Sequence, residues 1–215
     1  KAIRDDVFID KNDLSYKSFI NANEIPIILS KHKELAKVKE VFDKWNGDMK
    51  TDNKQATVFA LAIMHIFDYL SANYALYNNT IPEIEIFNAF NNAQKFLMKN
   101  YNTLEVELGR VQKITRGNVK FSMYGCANTL ASSGFYVPHK KGQLKCVLGD
   151  TFIFFAQYGK DGLEELKAIN VFGNSNKPSS KHYTDQLEMF VNMELRSVVL
   201  ENDAIKKQGI MYYPQ

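Results

Sequence analysis

The chain has 215 residues, 45% hydrophobic and 13% aromatic, enough to bury one large core or two small ones. Its 27 basic and 24 acidic residues are spread along the whole length and leave a net charge of +3, so no concentrated patch is present to neutralise phosphates, and nucleic acid is not an expected partner. No apolar run reaches the roughly 18 residues needed to cross a bilayer, so no membrane insertion is expected; the opening Lys1-Ala2-Ile3-Arg4-Asp5-Asp6 has no apolar centre of the signal-peptide kind, which leaves the compartment undecided.

Up to about residue 101 the pattern is helical. Asn12 or Asp13 can cap a helix beginning at Leu14, and Asn21-Ala22-Asn23-Glu24 followed by Pro26 marks its end. Leu35, Val38, Val41, Phe42 and Trp45 then recur at helical spacing between lysines and glutamates, with Asn46-Gly47 closing the segment. Asp52 is placed to cap a long apolar helix through Ala56, Phe59, Ile63, Ile66, Phe67 and Leu70, whose apolar residues cover more than half of its circumference and predict a buried element. A further helix from about Glu83 to Lys99 carries Ile84, Phe87, Phe90 and Leu97 on one side.

After Thr103 the period changes. Val119, Phe121 and Met123 alternate with polar residues, and Thr151-Phe152-Ile153-Phe154-Phe155-Ala156 is a compact β-branched and aromatic run; both predict strands. The Phe-rich run is apolar on both faces, which places it in the middle of a covered sheet with Phe154 buried, whereas Lys50 is expected in solvent. Gly159-Lys160-Asp161-Gly162 fits a hairpin turn to a partner strand near Lys167 to Phe172, although Leu163-Glu164-Glu165-Leu166 has helical propensity. A last helix is expected from about His182 to Glu194, with Tyr183, Leu187, Phe190 and Val191 inward, Ser179 or Ser180 as its cap and Asp185 in its first turn. The two patterns divide the chain into a helical region, residues 1–101, and a strand-rich region, residues 102–215, an α+β fold.

Little in the composition points to chemistry. His32, His65, His139 and His182 lie in separate segments without a metal-ligand spacing, and His65 falls inside the buried helix, where a hydrogen-bonded core imidazole is expected. No GxSxG, SxxK or phosphate-binding glycine loop occurs. Cys126 and Cys146 have no metal-binding partners at suitable spacing. Two free buried thiols are the simplest reading, and a disulfide stays open because Gly125, Gly134, Gly142 and Gly149 let the segment fold back on itself.

Four collinear stretches carry more information. Gly173-Asn174-Ser175-Asn176-Lys177-Pro178-Ser179-Ser180-Lys181-His182-Tyr183-Thr184-Asp185-Gln186 resembles the G-Q-S-G-x-P-x-S-P-H-Y-x-D-Q stretch of penicillin, acyl-homoserine-lactone and cephalosporin acylases. Gly149-Asp150-Thr151-Phe152 is similar to their G-D-S-Y, and Gly109-Arg110-Val111 through Arg116-Gly117 to their W-G-x-V-H-x-L-x-R-G. Lys44-Trp45-Asn46-Gly47-Asp48-Met49 with Asp52-Asn53-Lys54-Gln55-Ala56-Thr57-Val58-Phe59 resembles their K-x-W-D-G and following helix. Asn46 stands where the family often has Asp, Glu107 or Leu108 where it has Trp, and Lys181 where it has Pro.

The resemblance implies the C-terminal part of the β chain of an N-terminal-nucleophile amide hydrolase, with the strands and last helix contributing to a four-layer αββα sandwich. In such enzymes a serine exposed by self-cleavage attacks a linear amide, its own α-amino group acting as base and an asparagine and a backbone N–H holding the oxyanion. These groups, and the ligands of the calcium ion that the complete enzyme can hold, precede the matched segment, so the resemblance assigns no catalytic, cofactor-binding or metal residue to this chain. Lys1 has no hydroxyl or thiol to serve as nucleophile. The implied partners are the N-terminal part of the acylase, its α chain and early β chain, or a second copy of this chain; the implied compartment is the periplasm or the exterior. A non-catalytic scaffold or binding module with the same architecture is the alternative. Within the His182-Tyr183-Thr184-Asp185-Gln186 stretch, a structural role outweighs a catalytic one.

Overall fold

The computed structural model describes residues 24–72, 81–126, 133–199 and 202–208. The helix expected from Leu14 lies outside them. The chain divides into two compact units, Lys1–Gly149 and Asp150–Gln215, and the change of pattern at residue 101 falls inside the first.

In the first unit, α1 (Glu24–Lys31) buries Ile25, Ile28 and Leu29, one helical face. Pro26 sits in its first turn, where the missing N–H costs no intrahelical bond; no helix is expected here from the sequence. A 3-10 turn, Lys33–Leu35, leads into α2 (Ala36–Lys44), which buries Val38, Val41 and Phe42 and ends at Trp45. Every residue from Ala56 to Ile63 in α3 (Ala56–Ala72) is buried, as its apolar circumference predicts. Its start is held by Asn53, whose Oδ1 accepts the N–H groups of Gln55 at 3.0 Å and Ala56 at 2.9 Å; the cap is Asn53 and not Asp52. His65 is exposed, on the one outward stripe of this helix, rather than a core imidazole.

Helix α4 (Glu83–Tyr101) buries Ile86, Ala89, Phe90, Ala93 and Leu97 at three- and four-residue steps. Ile84, expected on that side, is 56% exposed, because the stripe is centred on Ile86 and residue 84 falls on the far side of the turn. Asn102 stops the helix in the left-handed region at φ 57°, donating its N–H to the Met98 carbonyl. Helix α1 packs on α2 and α4, and α3 on α4. No helix among the described residues is long and apolar enough to cross a membrane.

A short α5 (Leu108–Val111) opens the first sheet, made of β1 (Gln112–Arg116), β2 (Val119–Ser122), β3 (Ser133–Pro138) and β4 (Leu144–Gly149) in the order β2-β1-β4-β3. β1 pairs antiparallel with β2 and parallel with β4, and β3 runs antiparallel to β4. Cys126 is buried and Cys146 half-buried, and neither forms a disulfide. Burial pushes the Cys126 thiol well above the usual cysteine range.

The second unit is built on β5 (Phe152–Gly159), β6 (Gly162–Asn170) and the two-residue β7 (Arg196–Ser197), antiparallel in that order. The hairpin turns at Lys160-Asp161, and Leu163 to Leu166 form strand, not helix, because pairing with β5 overrides their helical propensity. β5 lies at the outside of its sheet and Phe154 is 63% exposed, which corrects its expected place in a covered centre; Lys50 is exposed as expected. The expected helix from His182 to Glu194 is reduced to α6 (Leu187–Val191), whose N-cap is Gln186, without a side-chain bond. Ser179 and Ser180 therefore cap no helix, and Asp185 precedes the first turn. A final helix, α7, runs over Asn202–Gln208.

Candidate functional site

The segment between β6 and α6 is irregular because its side chains take the backbone groups that a helix would use. Ser175 Oγ accepts the Lys177 N–H and Ser180 Oγ accepts the His182 N–H, each at 3.1 Å. The Ser175 N–H reaches across the loop to the His182 carbonyl at 3.1 Å. Gly173 makes this closure possible: its φ is +127°, and a Cβ there would collide with the His182 carbonyl and lie 2.6 Å from Asp185 Oδ1. The loop is tied to β6 by Gln186, which is 2% exposed; its Oε1 accepts the Asn170 N–H and its Nε2 donates to Asn174 Oδ1, both at 3.0 Å. Asn170 Nδ2 donates to the same Asn174 oxygen.

Gln186→Leu is expected to destabilise the second unit by about 1–3 kcal/mol, the cost of leaving a buried donor and acceptor without partners. Denaturant unfolding checks the magnitude. Faster amide exchange at Asn170 than in the parent protein identifies the lost bond, and unchanged exchange there would refute the assignment.

His182 and Asp185 form the one imidazole–carboxylate pair inside the loop, Nδ1 to Oδ2 at 2.8 Å. This is the geometry of an oriented base, but both side chains are partly open to solvent and no hydroxyl is bonded to the His182 ring among the described residues. The pair fastens the loop between Ser180 and Gln186. The motif residues Gly173, His182, Asp185 and Gln186 are thus brought together in one loop.

A second cluster joins the two earlier motif stretches. Trp45 is 1% exposed and donates its Nε1–H to the Asp48 carbonyl at 2.8 Å. Asn46 Oδ1 accepts from the Asp48 N–H and from Asn53 Nδ2, both at 3.0 Å. The N–H groups of Leu108 and Gly109 then bond the carbonyls of Asn53 and Thr51. A Cβ on Gly109 would stand 2.7 Å from Ser122 Cβ and 2.8 Å from Thr51 Cβ, so only glycine admits this approach. Asn46, where an aspartate was noted in related sequences, serves as acceptor to both donors, a task that its amide oxygen performs without a charge.

Sequence reasoning missed one pairing of a lysine with a hydroxyl. Lys113 Nζ donates to Ser122 Oγ at 3.1 Å, on directly opposed positions of β1 and β2. Burial, followed by repulsion from Lys120 and Arg110, holds the Lys113 amine below the usual lysine range. Ser122 in turn donates to the Gly109 carbonyl at 2.9 Å, so its proton is engaged in tying the hairpin to α5. The separation of nine residues with an intervening turn is the signal that marks such a cross-strand pair. The His32 ring lies tilted against Phe87 with centroids 4.5 Å apart, while His65 and His139 are exposed. Among the described residues no group of His, Cys, Asp or Glu is suited to a metal ion.

Helices followed by two small sheets define a mixed α+β protein. The chain belongs to the penicillin amidase family, whose model matches residues 6–207, and this is a family of N-terminal-nucleophile amidohydrolases. None of the curated proteins matches it. Among solved structures it is similar to a thermostable penicillin G acylase from Alcaligenes faecalis in orthorhombic form, at 12% identity and a TM-score of 0.42. That similarity covers 97% of this chain and 48% of the other, so the chain spans about half the length of the solved relative.

Proposed function

We propose that this chain is the C-terminal segment of a penicillin-acylase-type hydrolase of linear amides, which acts through an acyl-enzyme on an N-terminal serine located outside these residues. The family match over residues 6–207 carries this reading. The chain's own part is to hold the structure on which the reacting groups sit: the Gly173 to Gln186 loop and the Trp45 to Asn53 turn lock elements that the nucleophile-bearing segment would need in fixed positions. The partner in this reading is the preceding part of the acylase, and the edge of β5, unpaired among the described residues, supports association by strand addition. A periplasmic or secreted setting goes with it. Calcium, which the resemblance implies for the complete enzyme, fits no group of ligands among the described residues.

The test is an assay with a chromogenic acyl amide on two preparations, the 215-residue chain alone and the product of the coding sequence together with what precedes it. We expect turnover from the second only. Activity in the first that survives repurification would overturn the placement of the nucleophile. An inactive, folded second preparation would replace the enzyme reading by the scaffold or binding module.

A further inference from the structure

One face of the second unit's sheet carries groups that the architectural account does not use. Directly opposed residues of antiparallel strands share a face. The pairs Phe152 with Asn170, Phe154 with Ala168, and Ala168 with Arg196 therefore place two aromatic rings, a small residue, an amide and a guanidinium on the same side. Phe152 and Phe154 stack, with ring centroids 6.1 Å apart and planes 28° from parallel. A cleft of about 330 Å³ is bordered by Phe152, Ala168, Asn170 and Arg196 of this face, together with Ile169 and Ser197 of the same strands and with Asn174 and Gln186 among others. That volume is within the range of small-molecule sites. Ala168, paired with Phe154 on one side and Arg196 on the other, is the small residue between the aromatic and the cationic groups.

The polar groups bordering the cleft are biased toward donors. Among the described residues Arg196 forms no ion pair, and no carboxylate borders the cleft. Asn174 Oδ1 is occupied by the amides of Gln186 and Asn170, which leaves Asn174 Nδ2 as a donor with no partner among the described residues. Gln186 has both of its polar atoms engaged, so the amide end of the cleft is held rigid. A guanidinium and an amide donor without acceptors beside a stacked aromatic pair complement a flat, apolar body bearing an anionic oxygen pair.

We propose that this cleft binds a small aromatic carboxylate, with the carboxylate on Arg196 and Asn174 and the ring against Phe152 over Ala168. The site requires no amide hydrolysis, so its test is independent of the catalytic reading.

Ligand-observed NMR titration of the whole protein with benzoate, at concentrations up to about 10 mM, measures it. Neutral benzamide separates the role of the charge, and acetate that of the ring. Benzoate is expected to bind more tightly than either by about tenfold, the scale of one charge-assisted hydrogen bond. Arg196→Met should weaken benzoate by about tenfold and leave benzamide unchanged, and Arg196→Lys, which keeps the charge and loses the fork, should fall between. Ala168→Leu, which enlarges the small residue between these groups, should weaken both ligands while circular dichroism shows the sheet intact. The proposal is overturned by equal binding of benzoate and benzamide, by benzoate binding that Arg196→Met leaves unchanged, or by no binding at all, the result expected if another part of the protein occupies the cleft.

Discussion

Replacing Gly173 by alanine is expected to destabilise the second unit by about 3 kcal/mol or more, the sum of backbone strain at a positive φ and overpacking against a carbonyl that cannot withdraw. The two contributions can be separated, because the same unit holds a second glycine at almost the same φ. Gly162 has φ +119° and Gly173 has φ +127°, yet a Cβ on Gly162 meets nothing within 4 Å while one on Gly173 strikes the His182 carbonyl. Gly162→Ala should therefore cost only the backbone part, about 1–3 kcal/mol. Thermal or denaturant unfolding followed by circular dichroism ranks the two variants, and equal losses would show that the collision contributes nothing. Amide exchange locates the damage: the Ser175 N–H, which donates to the His182 carbonyl, should lose protection in Gly173→Ala and keep it in Gly162→Ala.

The contrast between those glycines also shows what was and was not legible in the sequence. Periodicity placed α2 and α4, since Phe90 and Leu97 or Val38, Val41 and Phe42 recur on faces that local geometry alone defines, although the stripe of α4 is centred on Ile86 and not on Ile84, and α1 was not expected. It could not place a strand within its sheet. The β-branched and aromatic run identified residues 151 to 156 as extended, but whether Phe154 is covered depends on what packs against that face of the sheet, a non-local matter that no local pattern encodes. Where polar side chains compete for the backbone, the helical reading failed for the same kind of reason. Ser180 has good capping chemistry, yet its oxygen closes a turn at His182, and the helix does not begin until Leu187. Gln186 looked like an ordinary polar residue of a helix; its bond to Asn170, sixteen residues away, makes it a buried anchor. The family-like stretch was recognisable by residue identity, whereas its structural role required the Gly173, Asn174 and Gln186 contacts to be seen together.

Trp45→Ala is the other substitution expected to have a large effect, a loss of about 3–5 kcal/mol from the first unit. The indole is 1% exposed, its ring centroid lies 4.6 Å from that of Phe59 and 6.0 Å from that of Phe42, and no smaller side chain spans α2, α3 and the turn between them. The turn is the second part of the effect. With the Nε1–H gone, the Asp48 carbonyl loses its donor, and Asp48 is bonded through Asn46 to Asn53, whose Oδ1 holds the first N–H groups of α3. Trp45→Phe keeps most of the packing and removes only the hydrogen bond, so it should cost about 1–3 kcal/mol, clearly less than the alanine variant. Because Trp45 is the sole tryptophan, its emission reports the parent protein directly and should be blue-shifted while the first unit is folded. Circular dichroism serves for the variants. Alanine and phenylalanine variants of equal stability would show that the hydrogen bond to Asp48, and not the contact with Phe59, fixes this corner; loss of Ala56 amide protection in both would show that the turn and the cap of α3 fail together.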